Sequence, residues 1–148
     1  MRNLVIRQAL SSDLNALIDV ENTCFNNDKL SPRSLKRWLN AKHGILLVAN
    51  NGEQVCGYGL VWCHKGTRLA RLYSLAVLPT MQGKGIAKML LAALEKQTSE
   101  RGRLYLRLEV AVNNESAIGL YKSLGYRVFG QYSDCLLYTS DAADESVS

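Results

Sequence analysis

Residues 72–90 read Leu72-Tyr73-Ser74-Leu75-Ala76-Val77-Leu78-Pro79-Thr80-Met81-Gln82-Gly83-Lys84-Gly85-Ile86-Ala87-Lys88-Met89-Leu90. An apolar strand, stopped by Pro79, is followed by a glycine-bearing turn and then by the start of an amphipathic helix. In that helix, roughly Gly85 to Glu100, the residues Ile86, Met89, Leu90, Ala93, Leu94 and Gln97 recur at i, i+3, i+4 spacing, with lysines on the other side. A turn between strand and helix points backbone N–H groups and a helix N-terminus at one spot, a place suited to a phosphate. Gly83 and Gly85 let the backbone close on a diphosphate, Ala87 keeps the first helical turn free of bulk, and Lys84 and Lys88 add positive charge. The turn is not the dinucleotide-binding fingerprint, because Lys88 stands where a third glycine is needed. Nor is it a P-loop, because no Gly-Lys-Ser/Thr follows. Taken alone, it is equally a plain tight turn.

Outward from this stretch the punctuation is regular. Leu4 to Arg7 reads as a strand. Ser11, Ser12 and Asp13 offer caps for a helix with Leu14, Leu17, Ile18 and Cys24/Phe25 on one side. Ser31-Pro32 starts a second helix bearing Leu35, Trp38 and Leu39. Ile45 to Ala49 and Val55 to Cys63 form an antiparallel pair across Asn50-Asn51-Gly52. The turn at Lys65-Gly66-Thr67 leads into Leu69 to Leu78. After Gly102, Arg103 to Val110 alternates, with Leu104, Leu106, Leu108 and Val110 facing one way and Tyr105, Arg107 and Glu109 the other. A helix from Asn114 or Glu115 to Leu124 ends at Gly125, and Tyr126 to Tyr132 is a further strand. The order β-α-α-β-β-β-α-β-α-β describes an α/β domain with a mixed, largely antiparallel sheet and helices on both faces.

With 148 residues and 47% hydrophobic content, one domain with its own core is expected. No apolar run approaches membrane-spanning length and the amino terminus lacks a secretory apolar region, which points to the cytoplasm. Cys24, Cys56, Cys63 and Cys135 form no Cys-x-x-Cys pair and His43 and His64 are isolated, so no metal site is expected and the thiols read as reduced core residues. Net charge is +5. The last fourteen residues hold three acids and no base, so the chain ahead of them stands at +8, an excess that suits an anionic ligand. Basic and aromatic residues are not interleaved, so nucleic acid is not the expected partner.

The motifs then carry a resemblance. Val77-x-Pro79-x-x-Gln82-Gly83-x-Gly85-x-Ala87 resembles the acetyl-CoA-binding motif of the GNAT superfamily of N-acetyltransferases, and Leu108-Glu109-Val110 with Asn114-x-x-Ala117-x-x-Leu120-Tyr121-x-x-x-Gly125-Tyr126 resembles its second signature. The form is most similar to bacterial enzymes that acetylate the N-terminal alanine of ribosomal protein S18. The resemblance implies a sheet splayed open beside the central strand, with the pantetheine arm of acetyl-CoA in the gap. It implies cofactor contacts from the backbone of Leu75, Ala76 and Val77, from the turn Gln82, Gly83, Lys84, Gly85, Ile86 and Ala87, and from Asn114. It also implies Glu109 as general base and Tyr121 as general acid. For Glu109 an ion pair with Arg107 on the same strand face is the competing reading; for Tyr121, a packed aromatic. The implied acceptor is a protein N-terminus, with a ribosomal protein among the candidates. A small-molecule amine and a non-catalytic CoA-binding module are the alternatives, and no membrane partner is expected. An α-amine, with a reference pKa of about 7.7–8.0, asks less of a base than a lysine near 10.4.

Two features depart from that pattern. The N-terminal alanine enzymes often carry Arg directly after Glu-Val, where this chain has Ala111. Glu21-Asn22-x-Cys24-Phe25, Asp28-x-Leu30-Ser31 and residues 70–77 are more similar to a subgroup in which the acetyltransferase domain precedes a cysteine-peptidase-like domain. Finally, residues 135–145 resemble a translated sequencing adapter. On that reading residues 1–134 form the acetyltransferase domain and 135–148 a non-native tail. The fold's last strand would then be missing or replaced, leaving an edge prone to association, although Cys135 to Tyr138 is apolar enough to serve as a final strand.

Overall fold

The structure, a computed structural model, describes residues 4–27, 29–132 and 135–141. Its strands are β1 (Val5–Gln8), β2 (Gly44–Asn50), β3 (Val55–Cys63), β4 (Leu69–Val77), β5 (Tyr105–Ala111), β6 (Arg127–Tyr132) and β7 (Cys135–Asp141); its helices are α1 (Leu14–Cys24), α2 (Pro32–Leu39), α3 (Ile86–Glu100) and α4 (Glu115–Ser123). The seven strands form one sheet in the order β1-β2-β3-β4-β5-β7-β6. Among the described strands only the β4–β5 pair is parallel. Each element expected from the sequence is present, most with ends shifted by a residue or two, and the sheet is mixed and mostly antiparallel as expected.

The alternation read in β5 is the alternation observed: Leu106, Leu108 and Val110 are buried, while Tyr105, Arg107, Glu109 and Ala111 are exposed. Central β3 is buried on both faces and separates two cores. On one face Leu90, Leu91 and Leu94 of α3 pack with Val61, Leu72, Leu106 and Tyr121. On the other, Leu17 and Val20 of α1 and Leu35 of α2 pack with Val48, Tyr58 and Leu60. Gly59 permits the α3 contact, since a Cβ there would lie 2.5 Å from Leu94 Cδ1. Burying one leucine in this way is worth about 1.5–3 kcal/mol.

Residues 135–141 bear on the expectation of a missing or replaced last strand. They pair with β5 from Tyr105↔Asp141 to Ala111↔Cys135 and with β6 on the other side. That place in the sheet is therefore filled by the segment beginning Cys135-Leu136-Leu137-Tyr138, and Tyr138 is wholly buried. The sheet edge on this side is β6, where Val128 and Phe129 are exposed.

The sheet opens where β4 and β5 part. Their pairing runs only from Leu69↔Tyr105 to Arg71↔Arg107. At the same level the β3–β4 register slips, with Val61 opposite Leu72 and Leu60 opposite Ser74, so that Tyr73 is an extra residue. Such a bulge bends and twists its strand, and beyond it β4 runs on to Val77 without β5 beside it.

Candidate active site

The edge of β4 left bare by this parting is one wall of a groove. Leu78 N–H donates to Cys56 O on β3 at 2.8 Å, so the neighbouring peptide groups at Val77 face the opposite way. Val77 O accordingly accepts from Gln82 Nε2 at 3.1 Å and from Cys24 Sγ at 3.4 Å. By the same alternation Leu75 turns its backbone N–H and C=O toward the gap. Ala76, opposite Tyr58, turns its own toward β3. Of the three residues expected to pair with a pantetheine arm, Leu75 thus offers both its backbone groups to the groove, Val77 its N–H, its C=O being held by Gln82 and Cys24, and Ala76 contributes to its lining.

At the end of β4, Pro79–Met81 forms a short 3-10 turn and Gly83 and Gly85 both adopt φ of 81°. Gly85 is the N-cap of α3 and supplies no side-chain cap. Among the described residues no acceptor meets the backbone N–H groups of residues 83–88, and Lys84 and Lys88 are exposed beside them. The α3 dipole adds about half a positive charge at this end. Ile86 is buried in the core, so its part here is its backbone alone. A diphosphate fits these donors. Gln82, through its tie to Val77 O, fixes how the turn leaves the strand.

Asn114 is the N-cap of α4, its Oδ1 accepting from Ala117 N at 3.2 Å. Asn114, Ala117 and Tyr121 follow i, i+3, i+7 and line the groove from the side opposite β4. Two adjoining cavities share Phe25, Leu75, Asn114, Ala117 and Tyr121. One, of about 260 Å³, includes Gln82 and Ala87; the other, of about 340 Å³, includes Glu109. The glycine turn and the Glu109–Tyr121 region are therefore two ends of one groove.

Tyr121 is 8% exposed, and burial pushes its phenol up to about 12, so it stays protonated across the working range of a cell. Among the described residues nothing accepts from its hydroxyl. Its ring rests on Tyr126 and Tyr138, with centroids 5.6 and 6.3 Å away. Tyr126 in turn donates to Glu95 Oε2 at 2.6 Å. Glu109 does not pair with Arg107, as its strand face had suggested. Arg71 of the neighbouring strand stands 3.6 Å from Glu109 Oε2, while the Arg107 guanidinium lies 4.9 Å over the Phe129 ring. The parallel β4–β5 pairing places Arg71 beside β5, and stacking draws Arg107 away. The Arg71–Glu109 pair is about half exposed and constrains Glu109 weakly.

The wall opposite Glu109 holds residues to which sequence reading gave no role. Glu21 of α1 is 2% exposed, accepts from Leu30 N at 2.6 Å and accepts from the Tyr58 hydroxyl. That hydroxyl also lies 2.8 Å from Ser74 Oγ. Burial, first, and then the Glu21 contact push the Tyr58 phenol far up. The network joins α1, the segment leading to α2, β3 and the β4 bulge. Its one signal in the sequence was a carboxylate four residues beyond Leu17, on the buried stripe of α1. Among the described residues, the lining of this cavity includes Glu21 and Glu109 and no Lys, Arg or His.

Known proteins share this fold. Residues 14–126 match the acetyltransferase (GNAT) family. The chain is 33% identical over 126 residues to the ribosomal protein bS18 alanine N-acetyltransferase of Haemophilus influenzae, covering 82% of this chain and 80% of that one. It is 31% identical over 138 residues to an acetyltransferase of Pectobacterium atrosepticum, covering 88% and 90%. Its fold superposes with a TM-score of 0.87 on the PaiA N-acetyltransferase of Thermoplasma acidophilum, solved with coenzyme A, at 21% identity over 93% of this chain and 98% of that one. The chain belongs to the acetyltransferase (GNAT) family and is an acetyl-CoA-dependent N-acetyltransferase.

Proposed function

We propose that this acetyltransferase moves the acetyl group to the N-terminal α-amine of a protein or peptide, by direct attack of the amine while donor and acceptor are bound together. The carrying observation is the single groove in which Gln82 and Ala87 stand at one end, Glu109 at the other, and Asn114 and Tyr121 along the shared wall. Leu75 and Val77 hold an extended donor arm through backbone groups, and the N–H groups of residues 83–88 hold its diphosphate. The bound donor supplies a thioester carbonyl open to aminolysis. Glu109 takes the proton of the incoming ammonium. Tyr121, kept protonated by burial, donates to the sulfur as the C–S bond breaks.

The amine enters a cavity whose lining, among the described residues, includes Glu21 and Glu109 and no cation, Arg71 reaching Glu109 from the adjoining cavity. Such a lining attracts an ammonium group and repels the carboxylate of a free amino acid, while a peptide N-terminus presents the amine without that carboxylate. The Haemophilus influenzae relative, which by name acts on an N-terminal alanine, supports the same class. A ribosomal protein is the first acceptor to try.

The test is release of CoA thiol from acetyl-CoA with a panel of peptides differing in their first residue, beside free amino acids and polyamines. Peptides should be the better acceptors. Glu109→Gln should lower kcat by about 10²–10³-fold and Tyr121→Phe by about 10–10³-fold, the range expected for positioned proton transfer. Equal turnover of polyamines in place of peptides would move the reading to a small-molecule enzyme. Cofactor binding without thiol release under every acceptor would leave a binding module.

A further inference from the structure

Beyond Glu109 the cleft does not end. A further cavity, about 320 Å³, shares Leu108 and Glu109 with the amine-entry cavity and continues over the same face of the sheet. Its character is opposite. His64, Arg71, Arg107 and Phe129 line it beside Glu109 and Leu137. Arg107 is exposed, and its guanidinium lies over Phe129, 4.9 Å from the ring centre. A stacked arginine is pre-organised for a carboxylate, which it can grip with two parallel hydrogen bonds. Phe129 itself is 48% exposed on the edge strand and shields one side.

Spacing connects the two cavities. Glu109 and Arg107 sit two residues apart on one face of β5, about 7 Å along the strand. An extended peptide advances by the same distance in two residues. If its terminal amine lies at Glu109, its third side chain lies over Arg107 and its second residue lies between, within reach of Arg71, which stands 3.6 Å from Glu109. We propose that this basic cavity selects acceptors carrying an acidic residue at position two or three, so that the enzyme reads a bipolar segment, ammonium first and carboxylate next. The inference rests on the reading of Glu109 as the site of amine deprotonation.

A peptide set identical except for Asp, Gln or Lys at positions two and three tests it with saturating acetyl-CoA at low salt. The acidic peptide should show a kcat/KM at least tenfold above the lysine peptide, carried by KM, and the gap should shrink at 300 mM NaCl. Arg107→Gln should flatten the series and Arg107→Glu should invert it, with the acetyl-CoA KM unchanged. Binding of the same peptides with the amino group deleted, measured by calorimetry on the acetyl-CoA-loaded protein, gives the charge preference without turnover. Peptides acetylated without regard to charge, or a preference indifferent to Arg107, would overturn the proposal and leave the enzymatic reading standing. Charge-selective binding of the deaminated peptides with no thiol release would do the reverse. A single-stranded oligonucleotide that displaces the acidic peptide and binds more tightly would make the cavity a nucleic-acid contact and also overturn it.

Discussion

On the proposed donor side of the cleft the groups on offer are peptide bonds: the bare edge of β4 at Leu75 and Val77, and the N–H groups of residues 83–88 ahead of α3. On the proposed acceptor side they are side chains drawn from separate elements: Glu21 from α1, Tyr58 from β3, Ser74 from the β4 bulge, Glu109 from β5 and Tyr121 from α4. A site made of backbone is fixed by φ, ψ and chain direction, and it tolerates changes of side chain that leave those alone. A site made of side chains is fixed by burial and by partners. It fails when one partner is removed, because the other is left in a poorly solvated place.

The largest expected effect therefore falls on the acceptor side. Tyr58→Phe removes one of the two donors recorded on the buried Glu21 carboxylate. Hydrogen bonds to charged groups contribute about 1.5–3 kcal/mol, and leaving a buried charge short of a donor costs toward the upper end. A loss of about 3 kcal/mol should appear in urea unfolding, together with a raised KM for the acceptor and an unchanged KM for acetyl-CoA. A loss below about 0.5 kcal/mol would mean that Glu21 is held by something other than Tyr58, and the contrast between the two walls would weaken.

Alkali probes the same wall through Tyr121. Its phenol is pushed up to about 12 in the folded protein by burial and titrates near 10 when unfolded. Below pH 10 both states are protonated and the full contribution is present. As pH rises from 10 through 12, the unfolded state gives up its proton first and about 2 kcal/mol of stability is lost. Tyr58 and Tyr126 are shifted in the same direction, so the fall is steeper than one phenol gives. Unfolding measured from pH 8 to pH 11.5 should be flat with respect to these groups up to about 10, and Tyr121→Phe should remove about 2 kcal/mol of the later decline. Activity should show no alkaline limb below pH 10 for the same reason. A limb near pH 8.5 would exclude Tyr121 as the proton donor.

The donor side is expected to respond to backbone. Gly85 adopts φ of 81° and a Cβ there meets nothing within 4 Å, so Gly85→Ala carries only the conformational cost of a left-handed residue, about 1–2 kcal/mol. The acetyl-CoA KM should rise about tenfold with the acceptor KM unchanged. Lys84→Ala, which removes an exposed charge and leaves φ free to hold its value, should raise it less than threefold. The reverse order would show that charge and not geometry holds the diphosphate.

The same division explains what could be read from the chain. Backbone sites are written locally: a strand, Pro79, two glycines and a helix lie contiguous between Leu69 and Glu100, so their order in sequence is their order in space. The alternation of β5 is local as well and faces as expected, and the i, i+3, i+7 spacing that sets Asn114, Ala117 and Tyr121 along the groove is equally local. Glu21, Tyr58 and Ser74 are far apart in sequence and meet through packing of α1 on the sheet, which periodicity does not record. The competing ion pair of Glu109 falls to Arg71 and not to Arg107 for that reason, since Arg107 is near in sequence and Arg71 is near in space. The last strand depends on a pairing with β5 that spans some thirty residues, and local apolarity at Cys135 to Tyr138 was its only local sign.

The smallest effect isolates the argument in a pair of like residues. Tyr58 and Tyr138 are both tyrosines on sheet strands and both wholly buried. The Tyr58 hydroxyl has Glu21 and Ser74 as partners, and the Tyr138 hydroxyl, among the described residues, has none. A buried hydroxyl without a partner has given up water for nothing, at about 1–3 kcal/mol, while the ring around it still packs on Tyr121. Tyr138→Phe keeps the ring and deletes the unmet group, so it should stabilise the protein by about 1 kcal/mol and leave kcat and both KM values unchanged. Tyr138→Ala would lose the ring as well and should cost about 3–5 kcal/mol. The two Tyr→Phe changes thus carry opposite signs at equal burial, and urea unfolding of the pair under one buffer decides it. Should Tyr138→Phe destabilise by more than about 0.5 kcal/mol, partner count would not be what separates them, and the acceptor wall would be held by shape.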